Sequence, residues 1–199
     1  AASQPVREQS PSPANVGAPD RKMPELHGQT GGSVGAQSAA FAAGLGIMVA
    51  KLTRARAVEA RLSEICTRLH ELAQADRDAY ARVLQARKLP ITHPDRPLQL
   101  SSNLLGAIET PLEIVKLSCE LIPLLRGLLT HAKPELQPDL KMGLRLADAV
   151  IDGCLGMVEE NMKTQPNQLL IASIRERFSV AEQMLVDEKS LCYTPPFDS

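Results

Sequence analysis

A run of small residues near the start of the chain has the composition of a ligand-binding helix start. Gly31, Gly32 and Ser33 open a segment over residues 28–53 that is rich in alanine and glycine. Ser33 is placed to cap a helix, and the N–H groups and dipole at a helix start can hold an anion or a carbonyl oxygen. The same small residues would let a central helix pack closely against its neighbours. A lone glycine pair is a weak signal, which favours the packing interpretation.

Two aspartates further along the chain could carry protons. Asp76 and Asp78 lie near the middle of residues 58–88, where apolar residues recur at steps of three and four, and Tyr80 follows them. This spacing predicts an amphipathic helix. A carboxylate on a partly buried helix face can act as a general acid or base, since burial favours its protonated form. A charge on a helix is more often solvated, so either aspartate taken singly fits an exposed surface better.

The apolar pattern of the chain predicts helices and no strands, because leucine and alanine dominate and aromatic residues make up only 3%. We therefore expect an all-α bundle of five or six helices, some of them long and kinked by proline. The small-residue helix should end at a turn over 54–56, and the next helix, over 58–88, should be ended by Pro90. An apolar run over 104–129 follows, capped by Ser101 or Ser102 and kinked or broken at Pro111 and Pro123. The last two predicted elements are a helix from Pro138 and Asp139 to Lys163 and, after a break at Pro166, a closing helix over 167–189.

Composition also sets the domain organisation and excludes one class of partner. Residues 1–26 contain five prolines among small polar residues and predict a disordered tail, which leaves residues 27–199 as a single helical domain. The formal net charge is -1, and tryptophan is absent. Such a chain lacks the basic field and the aromatic platforms that nucleic-acid binding uses. We expect no nucleic-acid partner.

The spacing of the cysteines and the hydropathy of the chain predict the cellular compartment of the protein. Cys66, Cys119, Cys154 and Cys192 are far apart and form no CxxC pair, which is typical of buried thiols in a reducing compartment. The chain does not open on a signal-peptide pattern, and its most apolar stretch, over 38–50, is short and glycine-rich for a membrane span. These observations predict a cytoplasmic protein without membrane contact.

The run over residues 108–129 predicts a homodimer. It carries many large apolar side chains, namely Leu112, Ile114, Leu117, Leu121, Ile122, Leu124, Leu125, Leu128 and Leu129. Burying each is worth about 1.5–3 kcal/mol, so a two-fold interface would cover those that one bundle leaves exposed. The alternative is a large intramolecular core.

Several short motifs follow one another in a fixed order between residues 28 and 163. They are Gly31-Gly32-Ser33, Met48-Val49, Leu52-Thr53, Asp76 with Ala79-Tyr80, Ala86 with Leu89-Pro90, Arg96 ahead of Pro111-Leu112, and Pro138-Asp139 followed by Asn161. In this order they resemble the cyclodeaminase/cyclohydrolase family, which comprises the cyclodeaminase half of formiminotransferase-cyclodeaminase and related methenyltetrahydrofolate cyclohydrolases.

The resemblance implies chemistry on the one-carbon bridge of a reduced folate. The family closes 5-formimino-tetrahydrofolate to the 5,10-methenyl form with loss of ammonia, or adds water to the methenyl carbon. By resemblance, Asp76 is the catalytic proton carrier, and the substrate-binding residues are Gly31, Gly32, Ser33, Arg56, Arg96, Asp139 and Asn161. The resemblance further implies a tetrahydrofolate derivative as substrate, no permanently bound cofactor, no metal, and a homodimer with sites close to the subunit contact.

The chain also departs from the family's pattern. Thr30, Lys51, Ala55, Arg56, Ile91, Ser101 and Met157 stand where the family has other residues, several of them polar. These losses support an alternative hypothesis, a non-catalytic folate-binding or helical scaffold protein that kept the fold. Turnover of a folate would distinguish the enzyme from the scaffold.

Overall fold

The computed structural model describes residues 29–165, 167–176 and 179, and these form a helical bundle. Its long helices are α1 (Gly31–Thr53), α2 (Arg56–Lys88), α3 (Arg96–Leu129) and α4 (Gln137–Thr164), with a 3-10 turn at Pro134–Leu136. Residues 168–176 are also helical, and no strand occurs in the described part of the chain. The predicted all-α fold is confirmed. The predicted tail over 1–26, the break at Pro166, Cys192 and the end of the closing helix lie outside the described residues.

Helix α1 lies at the centre of the bundle and packs against α2, α3 and α4. Its alanines, among them Ala36, Ala39 and Ala43, are fully buried. A Cβ atom at Gly46 would lie 2.6 Å from a methyl group of Leu125 and 2.8 Å from one of Leu62, so glycine lets these side chains of α3 and α2 pack against α1 without shifting. The packing interpretation of the small-residue run therefore holds along the body of α1.

The turn between α1 and α2 falls where the sequence predicts it. Arg54 takes a left-handed conformation with φ of 60° and closes α1, and α2 begins two residues later. With so short a connection the two helices must run antiparallel. Antiparallel packing places the start of α1 beside the middle of α2, which brings Gly32 against Asp76.

The predicted start of α3 is wrong. The helix begins at Arg96 and not at Ser101 or Ser102, because Pro97 occupies its first turn, where no N–H donor is needed. Of the predicted kinks or breaks at Pro111 and Pro123, no break occurs, because the helix continues through both prolines. The carbonyl group of Ala107, which loses its partner because Pro111 has no N–H, accepts a hydrogen bond of 2.8 Å from Nδ2 of Asn161 on α4. A tertiary contact thus offsets part of the cost of the first proline.

The apolar run of α3 is covered mainly within one chain. Its buried members are no more than 5% exposed and comprise Ile108, Leu112, Ile114, Leu121, Ile122, Leu125 and Leu128. Leu117, Leu124 and Leu129 are half-buried. A single chain thus already buries most of this run in an intramolecular core, which is the alternative to the predicted dimer interface.

The chain beyond α4 docks onto the start of α3. The side chain of Gln165 is 3% exposed, accepts from Ser101 Oγ at 2.8 Å and donates to the Ser101 carbonyl at 3.0 Å. Asn167 Oδ1 then accepts from the backbone N–H of Leu169 and Leu170, which caps the helical segment over 168–176. Ser101 therefore holds the C-terminal segment in place and does not cap α3.

Helix α1 is also long and apolar enough, by length and composition alone, to cross a membrane. It has 23 residues and a window with a mean hydropathy of 1.4, although its most apolar stretch is short and glycine-rich. Half of that window is buried inside the bundle. The core helix of a soluble protein passes the same test, and the absence of membrane contact stays a prediction.

Candidate active site

A cleft of about 400 Å³ opens at the end of the bundle where α1 begins. All four long helices contribute to its wall. The lining residues are Gln29, Thr30, Gly31, Gly32, Asp76, Tyr80, Val83, Arg87, Ala107, Pro111, Met157, Glu160 and Asn161. The cleft thus combines an apolar middle with a few polar groups, as ligand sites commonly do.

Asp76 is held by the start of α1. Its side chain is only 9% exposed, and its Oδ2 atom accepts hydrogen bonds from the Thr30 hydroxyl and, at 3.0 Å, from the backbone N–H of Ser33. The positive end of the α1 dipole favours a negative charge at this position. The anion at the helix start is therefore the protein's own carboxylate, and not the polar group of a ligand that the less favoured interpretation of the sequence placed there.

The cap of α1 is Thr30 and not Ser33. The backbone N–H of Ser33 donates to Thr30 Oγ1 at 3.3 Å, and the N–H of Thr30 donates to Ser33 Oγ at 2.9 Å, which makes a reciprocal capping box. The Ser33 hydroxyl also lies 2.9 Å from Gln29 Oε1, to which it can donate. Thr30, a departure from the family's pattern, is thus both the helix cap and a partner of the buried carboxylate.

Gly32 leaves the space that Asp76 occupies. A Cβ atom at this position would lie 2.3 Å from Oδ1 and 2.6 Å from Oδ2 of Asp76. The aspartate side chain is short and is fixed by its two donors, so it could not move aside without breaking those hydrogen bonds. The glycine is required by the close approach of the carboxylate, not by its backbone angles.

One oxygen of Asp76 is left for a ligand. Oδ1 accepts no hydrogen bond from any residue between 29 and 165, and Asp76 lines the cleft. A carboxylate anchored through one oxygen and free at the other can take a proton from a bound molecule and return it. The geometry therefore fits general acid–base chemistry at this end of the cleft.

Cys154 is close to Asp76 and is not suited to act as a nucleophile. Burial raises the pKa of the Cys154 thiol to about 12, with the negative charge of Asp76 as a second, smaller cause. The reactive form of cysteine is the thiolate, which is scarce at neutral pH when the pKa is so high. Covalent catalysis by this thiol is therefore disfavoured.

Asn161 joins α4 to α3 across the cleft. Its Nδ2 atom donates to the Ala107 carbonyl, and both residues line the cleft together with Pro111. This bond fixes the orientation of the amide, so that its oxygen has a set position beside the cleft. The residue is half-buried, which leaves it accessible to a ligand.

The predicted site residues divide between the two ends of the bundle. Gly31, Gly32, Asp76 and Asn161 line the cleft, and Ser33 lies directly behind Asp76. Arg56 begins α2, 20 residues or about 30 Å along the helix from Asp76. Asp139 lies in the first turn of α4, 22 residues or about 33 Å from Asn161. Neither Arg56 nor Asp139 lines the cleft of the same chain.

Arg96 lies nearer to the cleft but does not line it. It begins α3, 11 residues or about 16 Å before Ala107. Its side chain is half-buried, and its Nε atom is buried without a hydrogen-bond partner. This end of α3 faces the C-terminal segment that Gln165 anchors.

Sequence reasoning missed four polar residues of the cleft: Gln29, Thr30, Glu160 and Arg87. A usable signal was present for the last of these. Asp76, Tyr80, Val83 and Arg87 are spaced four, three and four residues apart, which puts them on one face of α2. For Thr30, the T-x-x-S spacing to Ser33 is a weak form of the capping box.

Metal-ligating groups do not cluster in the described part of the chain. No three side chains among histidine, cysteine, aspartate and glutamate come together there. Glu160, which lines the cleft as Asp76 does, pairs instead with Lys163 at 3.0 Å.

Comparisons with known proteins agree with this arrangement. The sequence profile of the family described as formiminotransferase-cyclodeaminase matches residues 29–180. Formimidoyltransferase-cyclodeaminase of Gallus gallus is 25% identical over 169 residues, which is 73% of this chain and 31% of the relative. The protein of the same name from Sus scrofa is 27% identical over 163 residues, 74% of this chain and 30% of the relative. The chain thus spans about a third of the length of these relatives.

A solved structure supports the fold. The formiminotetrahydrofolate cyclodeaminase of Thermotoga maritima superposes with a TM-score of 0.71 at 22% sequence identity. The match covers 80% of this chain and 83% of that one. At this identity the likeness establishes a shared bundle, and the chemistry of the cleft must be argued from its own residues.

Proposed function

The chain belongs to the formiminotransferase-cyclodeaminase family, and from that premise we propose that it acts as a cyclodeaminase on a formimino-tetrahydrofolate in the cleft at Asp76. The observation that carries the proposal is the buried carboxylate of Asp76, fixed through Oδ2 and free at Oδ1. The match with a structure named for formiminotetrahydrofolate supports the choice of substrate.

The reaction needs one proton to move between two nitrogens of the substrate. The amine N10 attacks the carbon of the protonated formimino group, forming a carbon–nitrogen bond. Asp76 Oδ1 takes the proton from N10 and returns it to the formimino nitrogen. The bond from carbon to that nitrogen then breaks, ammonia leaves, and the positive charge stays on the methenyl bridge. A single carboxylate in reach of both nitrogens is sufficient for this transfer.

The absorbance of methenyl-tetrahydrofolate in the near ultraviolet provides the test. We expect the protein to convert 5-formimino-tetrahydrofolate to this product, and Asp76→Asn to lower turnover by about 100-fold or more, the usual contribution of a general acid–base group. Asp78→Asn is the matched control, because Asp78 is exposed, contacts Gln74 and does not line the cleft. Equal activity of the wild-type and Asp76→Asn proteins would refute the role of this carboxylate.

The same assay separates the alternatives. Hydrolysis of methenyl-tetrahydrofolate without deamination would identify a cyclohydrolase. Folate binding by calorimetry without any turnover would identify a non-catalytic binding protein. The contacts that Thr30 makes with Asp76 favour a working site, because this departure from the family's pattern adds a donor to the carboxylate.

We also propose a homodimer, formed through α1 and not through the apolar run of α3. Four large apolar side chains on one face of α1 are exposed: Val34 by 47%, Phe41 by 68%, Met48 by 39% and Leu52 by 62%. Their spacing of seven, seven and four residues makes a continuous stripe suited to a helix of a second copy.

Sedimentation at micromolar concentration tests the dimer. We expect a mass near twice 21.5 kDa for the wild type. Phe41→Glu should give a monomer, whereas Ile91→Glu, at an isolated position that is 84% exposed, should not. A wild-type species of one chain mass would rule the dimer out.

A cytoplasmic location remains part of this proposal. In the described part of the chain, Cys66 and Cys154 are free thiols, as expected in a reducing compartment. Burial raises the pKa of the Cys66 thiol as well, which keeps it protonated and unreactive.

A further inference from the structure

The side chains of α2 that line the cleft change in chemical character along the helix. Asp76, Tyr80, Val83 and Arg87 lie on one face of α2 and all line the cleft. Eleven residues separate the first from the last, which corresponds to about 16 Å along the helix. The wall therefore begins at a carboxylate and ends at a guanidinium group.

The middle of this wall is suited to an aromatic ring. Val83 is 3% exposed and Tyr80 is 50% exposed, so the tyrosine side chain is accessible to a bound molecule. Pro111 of α3 and Met157 of α4 add apolar surface from the opposite walls. Flat rings pack well against such a combination of aromatic and aliphatic side chains.

No acidic side chain in the described part of the chain pairs with the guanidinium group of Arg87. Two arginines on the outer face of α2 do make ion pairs, Arg61 with Glu120 and Arg68 with Glu113. Arg87 makes no ion pair or hydrogen bond with any residue in the described ranges, although it lines the cleft. The acidic residue across the cleft, Glu160, is engaged by Lys163. An unpaired arginine at a cleft mouth can bind a carboxylate through two parallel hydrogen bonds.

We infer that Arg87 binds the glutamate carboxylates of the folate substrate and so sets its direction in the cleft. This inference rests on the proposed function. A reduced folate has its one-carbon bridge at one end, an aminobenzoyl ring in the middle and a glutamate with two carboxylates at the other end. The wall of α2 presents the matching groups in the same order: a proton carrier, an apolar aromatic surface and a cation.

The experiment is a thermodynamic cycle that removes the charge of Arg87, the carboxylate charges of the ligand, or both. Calorimetry measures binding of 5-formyltetrahydrofolate, a stable analogue of the substrate, and of the same compound with both glutamate carboxylates converted to amides. We expect the wild type to bind the free carboxylate form about fivefold more tightly, the upper range for an exposed ion pair. Arg87→Gln should lose this preference, and Arg87→Lys should keep part of it.

Lys88→Gln is the matched control for net charge. Lys88 is the next residue on α2, is exposed and does not line the cleft, so its variant should discriminate between the two ligands as the wild type does. If Arg87→Gln keeps the full preference, or if Lys88→Gln loses it equally, the inference is overturned and the proposed function stands. If the wild type binds neither ligand, the proposed function fails and the inference fails with it.

Discussion

Helix α2 carries its charged residues in two settings that the sequence does not distinguish. On the outer face, Arg61 and Arg68 each make a bidentate pair with a glutamate of α3, and both remain exposed. On the inner face, Asp76 is buried against the start of α1. The outer pairs are solvated and worth little, whereas the inner carboxylate is desolvated and must be held by specific donors. What distinguishes the functional residue of this helix is therefore not its charge but its burial and its specific hydrogen-bond donors.

The largest effect should come from removing the space at Gly32. In Gly32→Ala the new methyl group would overlap both oxygens of Asp76 and force the carboxylate away from its two donors. We expect turnover to fall by about 100-fold, as in Asp76→Asn, because the proton carrier would be misplaced. The near-ultraviolet assay measures it.

A matched glycine provides the control for that variant. Gly44 lies on the same helix, and a Cβ atom there meets nothing within 4 Å. Gly44→Ala should keep full activity and gain slightly in stability through the better helix propensity of alanine. Full activity in Gly32→Ala would show that the inner carboxylate is not confined as the distances indicate.

A smaller effect is expected at Thr30, which touches both the helix start and the carboxylate. Thr30→Val keeps the shape of the side chain but removes the cap and the hydrogen bond to Asp76. We expect a loss of about 1–2 kcal/mol in the free energy of unfolding and a several-fold drop in turnover.

Thr30→Ser is the conservative partner of that substitution. Serine retains the hydroxyl group and should restore both stability and turnover. If urea unfolding gave the same midpoint for Thr30→Val and wild type, the hydroxyl contacts would carry no net energy.

A further prediction concerns Pro111 in the interior of α3 and the hydrogen bond that compensates for it. Asn161→Leu removes the donor to the Ala107 carbonyl, which Pro111 leaves without a helical partner. We expect a loss of about 1 kcal/mol in the free energy of unfolding, the cost of one partly buried carbonyl without a partner. Asn103→Leu is the control, because its bond to the Arg82 carbonyl is longer, at 3.2 Å, and exposed. Equal destabilisation by the two variants would contradict this account.

The sequence predicted the body of the fold well and its special points poorly. Residues 58–88 and the helix ending near Lys163 follow the apolar period closely, and their bounds agree with the structure to within two residues. The sequence left open a kink or a break at Pro111, and the helix continues there while Asn161, 54 residues away in sequence, donates to the Ala107 carbonyl. Local rules contain no information about such a contact.

The candidate site was predicted through motif order, and order is only a partial guide to distance. Gly31, Gly32, Asp76 and Asn161 do meet at one cleft. Arg56 and Asp139 follow the same order of motifs, yet the lengths of α2 and α4 place them at the opposite end of the bundle. A rise of about 1.5 Å per residue along each predicted helix is enough to separate the two groups from the sequence alone.

The smallest effect concerns the outer face of α2 and completes the comparison. The hydrogen bond from Arg61 lowers the pKa of Glu120 below its usual value. A carboxyl group whose pKa is lower in the folded state stabilises the fold above its unfolded pKa, and this contribution disappears as the pH falls and the group becomes protonated. At pH 7, Glu120→Gln should therefore lower the melting temperature by only about 1–2 °C, since the pair is solvent-exposed. The difference from wild type should shrink as the pH falls from about 5 to 3.

Glu135→Gln, at an exposed glutamate in the 3-10 turn, controls for the change in net charge. Thermal unfolding followed by circular dichroism at several pH values measures both variants. A loss at pH 7 as large as that of Thr30→Val would mean that the outer pairs stabilise the bundle as much as the inner contacts do, and the distinction between the two faces would fail.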